Sequence, residues 1–217
     1  MTILEFDEIE KYTEVKEWLL SLTPSQLMEK KREAVDVVWD LLTYLYMLGF
    51  TQATEEVGET IAEEVKSVLP KDYEELTALQ IKPTESPKVK DFADLTKNQQ
   101  VEANKEIYKQ FDNKDFQDRV SQYAELGDTS KILKVVETDG NRVYNAGGYN
   151  GAKGRYKYKT WVTMMDDKVR DTHDYLEGIT IPIEDKFVTY DGDEARFPGD
   201  FSDPSNVINC RCELSYS

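Results

Sequence analysis

Apolar side chains recur at helical spacing in the first part of the chain. Between Pro24 and Leu48 they fall three or four residues apart, as on one face of a helix. Thr23 stands directly before Pro24 as a suitable N-cap, and Gly49 predicts the end of this helix. A second apolar stripe from Thr51 to Val68 lies opposite a row of glutamates, so the two segments predict a helical hairpin.

The helical pattern is interrupted and then returns. The polar stretch from Pro70 to Pro87 contains three prolines and predicts a connector. Helical spacing reappears from Lys97 to Phe111 and in two shorter pieces, Phe116 to Leu126 and Ser130 to Thr138. Helix is therefore expected to dominate the first two thirds of the chain.

After Thr138 the pattern changes to frequent glycines and then to alternation. The alternating cations predict a strand that ends at Trp161, and such a row most often solvates an edge strand, although phosphate or an acidic protein surface could also bind it. These cations are Lys153, Arg155, Lys157 and Lys159. Further along, the pattern predicts a hairpin from Ile179 to Ile183 and Phe187-Val188, a turn at Pro198-Gly199-Asp200, and a final strand from Val207 to Leu214.

Together these elements predict an α+β protein, in which a helical N-terminal region is followed by a small C-terminal domain with antiparallel strands and a helix. We expect residues 1–90 to form the helical region with its hairpin, residues 91–130 a helical connector, and residues 131–217 the C-terminal domain.

The composition limits the kinds of partner and the kinds of covalent cross-link that the chain can have. The 217 residues carry a net charge of -16, so nonspecific wrapping of nucleic acid is disfavoured and any DNA contact is expected to be local. No apolar run approaches the ~18 residues of a membrane helix, and the first residues lack the pattern of a signal peptide, so we expect a soluble chain in the cytosol with no membrane partner. Two cysteines spaced C-x-C exclude a disulfide framework.

Rare metal-binding residue types are concentrated near the end of the chain. The single histidine, His173, and both cysteines, Cys210 and Cys212, offer three donors suited to zinc, which Asp167 or Asp171 could complete to four. The C-x-C spacing differs from the usual zinc knuckle. The alternative interpretation is that His173 hydrogen-bonds a buried carbonyl while the cysteines pack as small apolar residues on the final strand.

A second group of charged residues surrounds His173. Asp166, Arg170 and His173 follow i, i+4, i+7 spacing, which predicts one helical face on which Asp166 pairs with Arg170 before a stop at Gly178. A catalytic interpretation makes His173 the acid or base and Arg170 the stabiliser of an anion, as in a metal-independent nuclease. The common nucleotide-binding, zinc-protease and serine-hydrolase motifs do not occur, which disfavours those classes.

These residues belong to a longer series of short motifs in the last third of the chain. The series comprises Lys159-Thr160-Trp161, Asp166 with Val169-Arg170, His173, Leu176-Glu177-Gly178, Phe187, Pro198-Gly199-Asp200 and Val207-Ile208-Asn209-Cys210-Arg211-Cys212. In order and spacing it resembles the phage Mu F-like minor head proteins, also called head morphogenesis proteins. An upstream segment of Glu137-Thr138, Arg142 and Asn145-Ala146 extends the resemblance to about Lys131 to Leu214, with Asp139 where family members usually have Glu. The first hundred or so residues carry no such match.

The resemblance implies a structural protein of a tailed phage or prophage, not an enzyme. It implies a few copies attached to the portal inside the capsid, assisting head assembly and DNA packaging or ejection. The expected partners are the portal protein, other capsid components and, locally, phage DNA. The expected location is the capsid interior, after the host cytoplasm during assembly.

In this interpretation the motif residues serve structure and none is catalytic. Asp166 and Arg170 organise the domain, His173 and the two cysteines lock the final strand against the helix, and the N-terminal helices meet the portal or neighbouring copies. Two alternatives remain: a toxin-like nuclease effector that uses His173 and Arg170, and an interaction module stabilised by structural zinc on His173, Cys210 and Cys212.

Overall fold

The computed structural model describes residues 9–53, 105, 107 and 113–217. Its helices are α1 (Glu10–Ser21), α2 (Pro24–Glu29), α3 (Lys31–Gln52), α4 (Asn113–Glu125), α5 (Thr129–Ala152), α6 (Asp171–Asp174) and α7 (Pro204–Val207). Its strands are β1 (Tyr158–Val162), β2 (Thr180–Pro182), β3 (Phe187–Val188), β4 (Glu194–Ala195) and β5 (Glu213–Tyr216). The predicted α+β class is confirmed.

Some predicted elements cannot be compared with the structure. The second half of the predicted hairpin lies outside the described residues from residue 54 onward, as do the connector from Pro70 to Pro87 and most of the segment from Lys97 to Phe111. Residues 105 and 107 within that segment are helical. Within the described ranges, no helix has both the length and the apolar character needed to cross a membrane.

The chain divides into two compact units. The described part of the first, here called the helical unit, consists of residues 9–44, 105, 107 and 113–135. Its interior is mainly apolar, with Trp18, Leu27 and Leu41 fully buried, and Trp39 meets Phe116 edge to face with ring centroids 5.7 Å apart. Helical spacing places such side chains on one face, so burying them stabilises the helices that carry them.

The start of α2 confirms the predicted cap at Thr23. The Thr23 hydroxyl accepts the Gln26 N–H at 3.3 Å, and the Gln26 side chain accepts the Thr23 N–H at 2.9 Å. This reciprocal capping box satisfies donors that the first turn leaves open. The single helix predicted from Pro24 to Leu48 is wrong in one respect, because the chain breaks at Lys30 and continues as α3.

The second unit, here called the C-terminal unit, is described over residues 45–53 and 136–217. The prediction that Gly49 ends a helix is wrong, because α3 runs through it to Gln52. A Cβ on Gly49 would lie 2.0 Å from the carbonyl oxygen of Tyr144, and one on Gly147 would lie 1.9 Å from that of Tyr46. These glycines therefore let the backbones of α3 and α5 touch.

The predicted end of helix at Thr138 is also wrong, because α5 continues through the glycine-rich stretch to Ala152.

The predicted basic edge strand is wrong as well. Lys153 and Arg155 lie in the turn before β1, and β1 is the middle strand of the sheet in the order β2-β1-β5. Lys159 faces the interior and is buried.

Both sheets are antiparallel. In the larger one Lys159 pairs with Ile181 of β2, and Trp161 pairs with Leu214 of β5. The predicted hairpin of residues 179–183 with Phe187-Val188 is wrong, since β3 pairs with β4 instead of β2. The predicted final strand also begins later, because residues 204–207 form α7 and the cysteines precede β5.

Candidate functional site

His173, Cys210 and Cys212 form a buried cluster in the C-terminal unit. Their exposed fractions are 1%, 4% and 3%. The Nδ1 atom of His173 lies 3.6 Å from Cys210 Sγ and 3.4 Å from Cys212 Sγ, and all three atoms lie within 4.8 Å of one another. The predicted convergence of these three side chains is therefore present in the structure.

The cysteines are placed by a short connection between α7 and β5. Asp203 caps α7 by accepting the Ser205 N–H at 2.8 Å, and Asn209 then takes a left-handed conformation with φ of 57° that turns the chain. The Cys210 N–H returns to the Val207 carbonyl at 3.1 Å. In an extended segment, alternate side chains share a side, so Cys210 and Cys212 both face His173.

Two asparagines of α5 hold this segment in place. Asn141 and Asn145 are buried one helical turn apart, and each donates its side-chain N–H to the Cys212 carbonyl, at 3.4 and 3.1 Å. The Thr138 hydroxyl accepts the Asn209 N–H at 3.3 Å. The cysteine segment is thereby tied to a long helix by directional contacts.

His173 is held by its own short helix. Within α6 its N–H donates to the Arg170 carbonyl at 2.9 Å. The Arg170 guanidinium donates to the carbonyls of Asn206 and Ile208, and the Thr172 hydroxyl donates to the Asn206 side chain at 2.9 Å. Arg170 thus joins the helix of His173 to the segment that carries the cysteines.

Aromatic rings enclose the histidine. The His173 ring meets Trp161 edge to face and stacks on Phe201, each at 5.4 Å between centroids. Trp161 also contacts Phe187 at 5.1 Å and Phe201 at 5.6 Å. Trp161 and Phe187 were among the predicted motif residues, whereas Phe201 was missed because an isolated phenylalanine after a turn carries no distinctive local pattern.

The two thiols differ in acidity. The hydrogen bond from Cys212 lowers the pKa of Cys210 well below its ordinary value; burial acts in the opposite direction, and His173 adds to the lowering. The same hydrogen bond, together with burial, raises the pKa of Cys212, while the charge of Arg170 opposes that rise. Proximity thus favours one thiolate and disfavours a second.

The predicted pair of Asp166 with Arg170 is wrong. Asp166 instead binds Arg211 through two hydrogen bonds of 2.9 and 2.6 Å. The bond to Arg211 lowers the pKa of Asp166. Residues 166–170 are not helical, because Met165 is left-handed with φ of 52° and the Asp166 carboxylate accepts the Lys168 N–H at 3.1 Å, closing a local turn.

The fourth ligand suggested by the sequence is also absent from the cluster. Asp167 and Asp171 are exposed, and among the described residues no carboxylate joins His173 and the cysteines. A small cleft borders the cluster on one side. Besides the three cluster residues, it is lined by Met164, Lys168, Val169, Arg170, Asn209 and Arg211.

Comparison with known proteins relates about the last half of the chain to a family. Residues 111–215 match the family described as Phage Mu protein F like protein. The Minor head protein GP7 of Bacillus phage SPP1 is 30% identical over 91 residues, which make up 40% of this chain and 30% of that protein. Because of this match, residues 111–215 are here called the Mu F-like domain. The resemblance stated from the motifs is confirmed.

A second relative shares a shorter part of its length. The NAD(+)-arginine ADP-ribosyltransferase EFV of Enterococcus faecalis (strain ATCC 700802 / V583) is 32% identical over 87 residues, or 38% of this chain and 18% of that protein. The chain therefore spans less than a third of either of these relatives. No solved structure matches the chain.

Within the Mu F-like domain, the Leu176-Glu177-Gly178 motif closes the chain beside β1. The Glu177 carboxylate accepts the Thr163 N–H at 2.6 Å, and the Gly178 N–H donates to the Trp161 carbonyl at 3.0 Å. Gly178 has φ of 72° and closes the turn that follows α6, whereas the helix itself ends at Asp174, earlier than predicted.

The Pro198-Gly199-Asp200 turn is confirmed and packs on α5. Gly199 has φ of 89°, and a Cβ there would lie 2.8 Å from that of Arg142. The Asp200 carboxylate binds the Arg196 side chain through two contacts of 2.8 Å. The Arg196 carbonyl in turn accepts the Lys159 ammonium at 2.8 Å. Burial lowers the pKa of Lys159 to about 8.

Asp193 is the main polar residue that sequence reasoning missed. Its carboxylate accepts the Ser202 hydroxyl at 2.8 Å, the Asp203 N–H at 3.1 Å and the Asn206 side-chain N–H at 3.2 Å. Burial acts to raise its pKa, but the hydrogen bonds from Ser202 and Asn206 prevail and lower it to about 2. An acidic residue in the sequence Asp191-Gly192-Asp193-Glu194 looks like ordinary turn composition, so no local signal distinguished it.

Proposed function

We propose that this chain is a minor head protein of a tailed phage or prophage, with a structural role in the capsid. The observation that carries the proposal is the match of residues 111–215 to the Mu F-like family, supported by the similarity to the Minor head protein GP7. We extend the proposal to attachment at the portal inside the capsid and to assistance in head assembly and in DNA packaging or ejection.

The contacts of the motif residues support a structural role over the nuclease alternative. A nuclease base must reach a water molecule or the substrate, but His173 is buried between Trp161 and Phe201 with Nδ1 facing two thiols. The Arg170 guanidinium is engaged with backbone carbonyls. The name of the ADP-ribosyltransferase relative describes a protein of which 18% is shared, so it provides no second candidate here.

Genetic complementation tests this function. Phage or induced prophage lacking the gene should yield far fewer infectious particles, and the intact gene supplied in trans should restore them. A chain with Trp161→Ala, which removes a fully buried side chain of the Mu F-like domain, should fail to complement, whereas Tyr158→Ala on the exposed face of the same strand should succeed. Normal particle yield without the gene would contradict a role in head assembly.

Portal attachment can be tested through exposed apolar side chains. We propose that the N-terminal helices contact the portal, and Leu20 and Met28 are exposed there by 58% and 51%. The double change Leu20→Glu, Met28→Glu should reduce capture of the portal protein by the full chain. The matched control is Tyr175→Glu, Tyr190→Glu, because those two exposed side chains lie in the Mu F-like domain. Equal capture by both variants would count against the N-terminal assignment.

A local DNA contact is the last part of the proposal. Arg155 and Lys157 are exposed just before β1, while the net charge of -16 opposes any broader contact. The change Arg155→Glu, Lys157→Glu should weaken binding of double-stranded DNA measured at low salt. Arg32→Glu, Lys134→Glu, which changes the net charge equally at two other exposed residues, is the control. If the two variants bind DNA equally, contact through these residues is wrong.

A further inference from the structure

We propose that His173, Cys210 and Cys212 bind one zinc ion, through Nδ1 of the histidine and the two cysteine sulfurs, and that the fourth ligand is water or a small anion from the adjoining cleft. The proposal stands apart from the capsid role, because it rests on the geometry and chemistry of these side chains alone.

The distances fit a metal centre. Bonds of about 2.0 Å to nitrogen and about 2.3 Å to sulfur at tetrahedral angles place the nitrogen and the sulfur about 3.5 Å apart. The separations from His173 Nδ1 are 3.6 Å to Cys210 Sγ and 3.4 Å to Cys212 Sγ. The two nitrogen–sulfur separations therefore suit a bound ion, and the two sulfurs lie within 4.8 Å of each other.

Hydrogen bonding alone does not account for the placement of both sulfurs beside one nitrogen. A neutral imidazole nitrogen has one lone pair, yet two sulfurs lie within 3.6 Å of the same Nδ1. A metal ion would instead be bound by lone pairs from all three atoms at once. Imidazole and thiolate are the ligand types that zinc prefers, and all three side chains are buried.

The surrounding contacts hold the ligands in advance. Asn141 and Asn145 fix the Cys212 backbone, and Arg170 connects the histidine helix to the segment before the cysteines. Ligands held in position lose less conformational freedom on binding. The resulting centre would join α6 to the segment entering β5, two elements otherwise connected by side-chain contacts.

The charges of the ligands suit a divalent cation whose fourth coordination position is not filled by the protein. Two thiolates offset the charge of a zinc ion, and binding releases the thiol protons to solvent while the imidazole binds in its neutral form. Among the described residues no carboxylate completes the set, and Lys168, Arg170 and Arg211 line the cleft beside it. Water or a small anion therefore suits the fourth position.

Metal titration of the full chain tests the proposal. Protein reduced and stripped with a chelator should bind one equivalent of Zn²⁺ by native mass spectrometry, with release of protons and a higher melting temperature. Co²⁺ in its place should give the thiolate charge-transfer and visible bands of a tetrahedral site. An added thiocyanate ion should shift those bands, because it can reach the fourth position.

Variants separate the site from incidental binding. Cys210→Ser, Cys212→Ser should abolish the cobalt spectrum, and Asp166→Asn, which leaves all three donors, should retain it with the same stoichiometry. If the double variant does not fold, the wild-type titration still decides the matter. A folded wild-type chain that binds no Zn²⁺ or Co²⁺ at micromolar protein, or a cobalt spectrum without thiolate charge transfer, would overturn the proposal.

Discussion

The helical unit and the C-terminal unit are stabilised in different ways. In the helical unit, long helices bury apolar side chains such as Trp18 and Leu41 at regular spacing. In the C-terminal unit every element after α5 is five residues long or shorter. Polar groups connect these elements: Asn145 connects α5 to Cys212, and Asp193 connects the start of β4 to Ser202 and Asn206. Apolar periodicity thus accounts for the first unit, while the second depends on specific partners far apart in the chain.

The largest expected effect concerns the apolar centre of the C-terminal unit. Trp161→Ala should lower the free energy of unfolding by about 3–5 kcal/mol, because it leaves a cavity between His173, Phe187 and Phe201. Hydrogen exchange should show the loss of protection in β1 and α6 before α1. Tyr158→Ala, on the exposed face of β1, should have little effect, and equal losses in the two variants would contradict the assignment of Trp161 to the core.

Glycine substitutions on α5 test the close helix contact. Gly147→Ala should destabilise by about 1–3 kcal/mol or more, because its Cβ would lie 1.9 Å from the Tyr46 carbonyl oxygen and the backbones would have to separate. Gly148→Ala is the matched control, since the nearest atom to its Cβ would be the Tyr216 hydroxyl at 3.0 Å, the end of a side chain, and the nearest backbone atom would lie at 3.6 Å. Urea unfolding of both variants measures the difference, and similar stabilities would refute the contact.

The buried ammonium of Lys159 should make the free energy of unfolding depend on pH. Its pKa falls from 10.5 to about 8 in the folded chain, so between those values the unfolded chain binds more protons and stability rises with pH. Relative to Lys159→Met, the wild type should gain about 2 kcal/mol between pH 7 and pH 9.5. The comparison with the variant cancels other groups, including Tyr144 and Tyr216, whose pKa values are raised by burial. A pH-independent difference between the two proteins would exclude this protonation effect.

In the helical unit, a single cap should have a smaller effect. Thr23→Ala removes the side-chain half of the capping box and should cost about 1 kcal/mol. Thr23→Ser retains the hydroxyl and should stay close to the wild type. Thermal unfolding measures both, and a Ser variant as unstable as the Ala variant would show that the hydroxyl is not the stabilising group.

The smallest expected effect belongs to the exposed pair of Asp166 and Arg211. Both side chains are more than a third exposed, so Asp166→Asn should cost less than about 1 kcal/mol, and the difference should shrink in high salt. Chemical unfolding at two salt concentrations measures it. A larger, salt-independent loss would show that Asp166 has a role beyond this pair.

Local sequence was sufficient to predict a structural feature where the interactions that cause it are local. The cap at Thr23 was identified because a capping residue acts on the next few residues. Gly49 was misinterpreted because the atoms that require a glycine there belong to the Tyr144 backbone, far along the chain. The prediction that Asp166, Arg170 and His173 share one helical face was wrong, because the Asp166 side chain forms a local turn where the helix was expected.

The sequence predicted which residues form the candidate site but only some of the contacts that surround them. The rarity of histidine and cysteine drew attention to His173, Cys210 and Cys212, and the structure brings them together. Asp193 and Phe201 could not be found in this way, because acidic residues and phenylalanine are common and their importance comes from partners brought near by folding. The pairing of Arg211 with Asp166 likewise depends on a separation of 45 residues.

Quantitative mass spectrometry of purified phage heads shows whether the chain is a component of the capsid. We expect the full chain in washed, DNA-filled particles at a low and constant ratio to the major capsid protein, and we expect Trp161→Ala to remove it from them. Its absence from particles, with the chain found only in the soluble fraction of the lysate, would contradict a role as a minor head protein.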